Sequence, residues 1–152
     1  MAKRKLLCVD DDSGIRKFYK DMFGSYGYDV TVASGGREAL KLFLSRRIDA
    51  VVTDLEMPGM TGTELAKRLK KLRPELPVVL VSGAKTPDIP AQVVDAAVAK
   101  GTPIAGLVNQ METLLTATRS SHSPLRPTRL IPLGSVLASV ALIAYALPRI
   151  WK

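Results

Sequence analysis

Residues 50–62, Ala-Val-Val-Thr-Asp-Leu-Glu-Met-Pro-Gly-Met-Thr-Gly, decide the fold. Ala50 to Thr53 is a short apolar, β-branched run that reads as a strand, and Asp54 follows it directly. Pro58, Gly59 and Gly62 then mark a loop. Downstream, Leu65, Leu69 and Leu72 recur at helical spacing, Pro74 ends that helix, and Pro77 to Val81 reads as another strand. Upstream, a Ser-Gly-Gly turn at 34–36 opens a helix carrying Ala39, Leu40, Phe43 and Leu44 on one face. Before it, Tyr28 to Val32 is a strand, Ser13 is positioned to cap a helix with Ile15, Phe18, Met22 and Phe23, and Leu6 to Val9 is the first strand. Strand and helix alternate four times, which predicts an α/β domain with a parallel sheet covered on both faces.

The fifth unit is less regular. Sixteen residues separate Gly83 from Lys100, with Pro87 and Pro90 among them, so only a short or irregular helix fits before a weak strand at Ala96 to Ala99. Thr102 and Pro103 are then expected to cap and open a final helix carrying Ile104, Leu107, Val108, Met111 and Leu114.

The chain has 152 residues and a formal charge of +8, a balance that invites a search for nucleic acid. The charge is unevenly placed, however. Residues 1–118 hold 17 basic against 14 acidic side chains, net +3, while 119–152 hold five basic residues and no acid. With 5% aromatic residues there is little material for a base-stacking surface, so no nucleic-acid partner is expected. Lys67, Arg68, Lys70, Lys71 and Arg73 read as a solvated helix face. Cys8 is the sole cysteine and lies in an apolar run, which excludes a disulfide framework and a cysteine-rich metal site and predicts a buried thiol.

In an open parallel sheet, ligands bind at the carboxyl ends of the strands. Those ends carry Asp10-Asp11-Asp12, Asp54, Ser82-Gly83 and Lys100. Clustered carboxylates repel one another unless a cation joins them, and an all-oxygen set favours Mg2+. A carboxylate attacking a phosphoryl group needs charge neutralisation on the equatorial oxygens, which a metal ion, Lys100 and the Ser82 hydroxyl can supply. Gly83 is expected to leave room beside Asp54. Glu56 falls at the pocket mouth or is an exposed loop acid, while Met57 and Met60 are expected to pack the loop.

The motifs LLCVDDD, VVTDLEMPGMTG and VLVSG, with Lys100 after a short apolar segment, resemble the response-regulator receiver domain of two-component signalling. The resemblance covers about residues 4–118 and implies a doubly wound, five-stranded parallel sheet of flavodoxin-like type. It implies that Asp54 is the phospho-acceptor, that Asp10 and Asp11 are the acidic pair, and that Mg2+ is bound with Asp54, Asp11 and the main-chain carbonyl of Glu56. Ser82 and Lys100 would contact the phosphoryl group. A histidine kinase or phosphotransfer protein would donate it, with no substrate turnover by this chain. Two positions depart from the family: Gly101 stands where proline usually follows the lysine, and Ala97 stands where an aromatic switch residue often lies. The segment from Ser82 to Lys100 is also shorter than usual. The resemblance therefore covers the phosphorylation chemistry more fully than the route by which phosphorylation reshapes the domain.

Residues 119–129 read as a basic linker, with His122 as a polar linker residue, and 130–150 as a transmembrane helix. Leu130 to Pro148 carries no charge, and at 1.5 Å per residue a helix of that length spans about 28 Å, close to a hydrocarbon core. Arg119, Arg126 and Arg129 precede the run, Trp151 suits an interface, and Gly134 with Ala138 offers a small-residue spacing for helix pairing and so a homodimer. These features predict a receiver tethered to the cytoplasmic face of a bacterial inner membrane, signalling through an unidentified downstream protein. Two rivals are a membrane adaptor that uses the fold without phosphorylation and a haloacid-dehalogenase-type phosphatase. The phosphatase requires a further acidic pair after Lys100, where the chain offers Glu112.

Overall fold

Among the described residues the aliphatic runs form five parallel strands; the three central ones are almost wholly withdrawn from water, as expected of strands packed on both faces, and the two edge strands are only partly buried. The computed structural model describes residues 2–83 and 92–121. In chain order the strands are β1 Lys5–Val9, β2 Asp29–Ala33, β3 Ala50–Asp54, β4 Val78–Ser82 and β5 Ala96–Ala99. The helices are α1 Ser13–Ser25, α2 Gly36–Ser45, α3 Gly62–Leu72 and α4 Ile104–Ser121. The sheet order is β2-β1-β3-β4-β5, all parallel, so the direction of winding reverses at β1 and β3.

Alternation along β1 builds two cores. Leu7 and Val9 join Val51, Leu80, Leu65 and Leu69 on the face covered by α2 and α3. Leu6 and Cys8 join Val52, Val79, Phe23 and Met111 on the face covered by α1 and α4. Cys8 is fully buried, and its backbone is flanked by Val32 on one side and Val52 on the other. Removing such a side chain, for example Leu80→Ala, costs about 2–5 kcal/mol because the rigid sheet cannot close the cavity. Met57 and Met60 are also buried in the first core, as loop packing.

Several local expectations are corrected. Asp12, not Ser13, caps α1: its carboxylate accepts the Gly14 and Ile15 N–H groups at 2.6 and 3.1 Å. The Thr102 hydroxyl donates to the Ala99 carbonyl at 2.8 Å, and Pro103 supplies the carbonyl that takes the first helical bond of α4. Helix α4 continues to Ser121, beyond the boundary expected at Thr118. Phe18, Leu44 and Leu72, expected on apolar helix faces, are 48, 71 and 55% exposed. They lie at the margins of their stripes, where periodicity alone does not separate buried from flanking positions.

The basic face of α3 is only partly solvated. Lys70 pairs with Asp95 at 2.7 Å, and Arg73 donates to the Ile48 carbonyl with its guanidinium 5.0 Å from the centre of the Phe43 ring. The expected irregular helix before β5 falls largely on residues 84–91, outside the described residues. The expected linker and membrane span, residues 122–150 with His122, Gly134 and Ala138, also lie outside them. Among the described residues, no helix is long and apolar enough to cross a membrane.

Candidate functional site

The strands deliver their polar residues to one edge. Asp10 follows β1, Asp54 ends β3, Ser82 ends β4 and Lys100 follows β5. Because winding reverses between β1 and β3, Asp10 and Asp54 stand on neighbouring strands at the switch point. Asp10, Asp54 and Ser82 are buried, while the Lys100 side chain is 43% exposed and reaches in from the rim.

Local bonds hold this edge in shape. The Leu55 N–H donates to the Val81 carbonyl, and the Gly62 N–H donates back to Leu55 at 2.8 Å, folding the loop that holds Glu56 over the end of β3. Gly62 is obligatory here: a Cβ at that position would lie 2.0 Å from the Asp54 carbonyl oxygen. Thr61 and Glu64 then start α3 with a reciprocal capping box. On the opposite strand, the Lys100 N–H donates to the Ser82 carbonyl at 2.7 Å. Gly101, at φ +94°, closes a turn in which the Thr102 N–H donates to the Ala99 carbonyl. Proline cannot adopt that φ, so the residue that departs from the family pattern fits the turn built in this chain. Gly83 does not make room beside Asp54; a Cβ there would meet the Lys100 side chain at an ordinary 3.9 Å.

The electrostatics are unbalanced. Carboxylate oxygens of Asp10, Asp11 and Asp54 all lie within 4.8 Å of one another. The Lys100 ammonium is 3.0 Å from Asp54 Oδ1. Asp10 Oδ1 accepts the Asp12 N–H at 2.9 Å, whereas Asp10 Oδ2 is buried with no hydrogen-bond partner among the described residues. Burial first, and then repulsion from Asp54 and Asp11, push the Asp10 carboxyl above the usual range; the Asp12 N–H and Lys100 oppose the shift. Burial of Lys100 favours its neutral form, but the bond to Asp54 and the charges of Asp54, Asp10 and Asp11 together hold it more firmly protonated than a free lysine. A buried, unpartnered carboxylate oxygen beside two further carboxylates fits a hard divalent cation, which prefers oxygen ligands. Asp10, Asp11 and Asp54 are the side chains available to hold it, while the Glu56 side chain is exposed.

The model of the response regulator receiver domain matches residues 6–101. The chain belongs to that family. It is 35% identical over 82 residues to sporulation initiation phosphotransferase F of Bacillus subtilis, covering 54% of this chain and 66% of that protein. It is 38% identical over 78 residues to response regulator MprA of Mycolicibacterium vanbaalenii, covering 51% of this chain and 34% of that protein. The chain thus spans just under two thirds of the first relative and about one third of the second. Among solved structures it resembles the response regulator TrrA of Thermotoga maritima in complex with Mg2+-BeF, with a TM-score of 0.69 and 31% identity over 73% of this chain and 98% of that one. It also matches, with a TM-score of 0.68 and 31% identity, a structure of histidine kinase ThkA in complex with TrrA, over 74% of this chain and 98% of the chain matched.

All four receiver residues expected at the strand ends, Asp10, Asp54, Ser82 and Lys100, lie on one edge, and Asp11 joins the carboxylates. The sequence reading missed Arg16, whose Nη1 donates to the carbonyls of both Asp10 and Asp11. Its position on the first turns of α1, six residues after Asp10, was the available signal. The phosphatase rival finds no support: Glu112 pairs with Arg4, just before β1, and accepts from the Tyr28 hydroxyl, at the opposite edge of the sheet.

Proposed function

We propose that this receiver accepts a phosphoryl group on Asp54 from a phosphohistidine of a histidine kinase or phosphotransfer protein. The observation that carries the proposal is the buried Asp54 carboxylate, set within an acidic cluster and 3.0 Å from the Lys100 ammonium. In the step, an Asp54 carboxylate oxygen bonds to phosphorus while the phosphorus–nitrogen bond breaks, and the leaving imidazole nitrogen takes up a proton. Lys100 keeps its proton and pairs with the incoming phosphoryl oxygens. Ser82, anchored by its carbonyl to the Lys100 N–H, presents its hydroxyl at the end of β4 to the same group. A divalent cation, Mg2+ by the chemistry of the donors, would be held by Asp10, Asp11, Asp54 and the Glu56 main-chain carbonyl and would neutralise charge on the transferring group. Asp54 is an acceptor that must be dephosphorylated before it can act again, so the chain is not a turnover enzyme.

The uncharged run at 130–148, with arginines before it, supports a C-terminal anchor holding the receiver at the cytoplasmic face of a bacterial membrane. The output would then be a change in affinity for a downstream protein.

Radiolabelling with a small phosphodonor such as acetyl phosphate tests the first part. Mg2+-dependent labelling of the wild type and loss of label in Asp54→Asn are expected; equal labelling of the two would refute the assignment. Fractionation of the full chain against a chain ending at Ser123, with carbonate washing, tests the anchor. Membrane retention of the full chain alone is expected, and an equally soluble pair would end that reading.

A further inference from the structure

We propose that Arg16 is a positioning residue for the divalent-cation site, fixing the acidic loop through its carbonyls rather than pairing with its carboxylates; this rests on the reading of Asp10, Asp11 and Asp54 as cation ligands. Arg16 lies on the first turns of α1, next to three consecutive aspartates, where an ion pair with a carboxylate is the expected outcome for a guanidinium. Instead, one nitrogen, Nη1, donates to the Asp10 carbonyl at 2.7 Å and to the Asp11 carbonyl at 2.8 Å. The Arg16 N–H is committed as well, to the Asp12 carbonyl at 3.1 Å.

These bonds clamp successive peptide units of the loop from the helix side. The Asp12 N–H then reaches Asp10 Oδ1, and Asp10 Oδ2 is left buried without a partner, beside Asp11 and Asp54. The guanidinium is also a fixed positive charge held against the backbone of the acidic loop. The same guanidinium therefore has two opposed influences on a bound cation. As a clamp it pre-forms the ligand loop and favours binding; as a positive charge near the site it disfavours binding.

That opposition makes the test one of sign. Mg2+ binding is followed by calorimetry and by amide shifts of residues 10–12, using the full chain in detergent, for wild type, Arg16→Met and Arg16→Gln. Thermal unfolding without Mg2+ serves as the measure of a merely structural role. If the clamp dominates, Arg16→Met weakens Mg2+ binding about tenfold, as is typical when a group orienting metal ligands is removed. Arg16→Gln, equally neutral but able to donate a hydrogen bond, recovers part of the loss, and the two variants unfold at similar temperatures. Unchanged or tighter Mg2+ binding in Arg16→Met overturns the proposal, because charge alone then describes the residue. Equal weakening in both variants also overturns it. If wild type itself binds no Mg2+, the cation-site reading fails instead, and this proposal falls with it.

Discussion

The two edges of the sheet use the same kinds of residue to opposite ends. At the amino edge, carboxylates meet donors: Glu112 pairs with Arg4 at 2.7 Å, Asp95 takes the Val78 N–H at 2.8 Å and Lys70 at 2.7 Å, and Asp49 takes the Lys5 N–H at 2.8 Å. At the carboxyl edge, Asp10, Asp11 and Asp54 converge within 4.8 Å, and a buried oxygen of Asp10 has no partner among the described residues. One edge satisfies its charges within the chain. The other holds them in a state that an added cation and a phosphoryl group can relieve. The difference teaches that stability and chemistry are separated along the strand axis, with the fold's ties at one end and its unfinished bonding at the other.

Three substitutions sharpen that contrast. The largest effect is expected from Gly62→Ala, which places a Cβ 2.0 Å from the Asp54 carbonyl oxygen. Backbone on both sides must move, so a loss of about 3 kcal/mol or more is expected in denaturant unfolding, together with loss of labelling on Asp54. Next, Asp10→Asn removes an unpaired buried charge. Without Mg2+ the variant should be more stable than wild type by roughly 0.5–2 kcal/mol at neutral pH while binding Mg2+ more weakly, the trade expected of a functional group. The pH dependence follows from the raised folded-state pKa of Asp10. Its stabilising contribution is complete below the unfolded value near 3.8 and is lost as pH rises through the higher folded value. Asp12, Glu38 and Glu64, whose carboxyls are held low, change stability in the opposite sense, so the check is the difference in metal-free stability between wild type and Asp10→Asn, which should move against wild type as pH rises over that acidic range. Last, Glu112→Gln at the opposite edge keeps a bond to Tyr28 but loses the ion pair with Arg4. A cost of about 1 kcal/mol or less is expected, with labelling of Asp54 unchanged, because Glu112 is half exposed and the pair is screened.

The parts of this molecule that were readable in advance are those governed by strong local patterns. Aliphatic runs ending in aspartate, serine or lysine specified four strand ends, and the alternation of strands with helices placed those ends on one edge; even the weak strand at Ala96–Ala99 is present where its composition suggested. What escaped depends on contacts across sequence distance. Lys70 and Arg73 look like solvent-facing helix residues until Asp95, Phe43 and Ile48 are brought alongside. Arg16 looks like one more surface cation until the loop before it folds back toward its guanidinium. The cap of α1 was misplaced by one residue because Asp12 and Ser13 are both good caps, and only the backbone direction at Asp12 distinguishes them.

Cys8 gives the chain a built-in stopwatch. The thiol is the only one in the sequence, lies fully buried on β1 between two neighbouring strands, and is pushed by burial toward its unreactive protonated form. A thiol reagent can reach it only when the sheet opens, so the labelling rate of the folded protein counts openings at its centre. Ligands that relieve the strain at the carboxyl edge should slow that count without touching the sulfur.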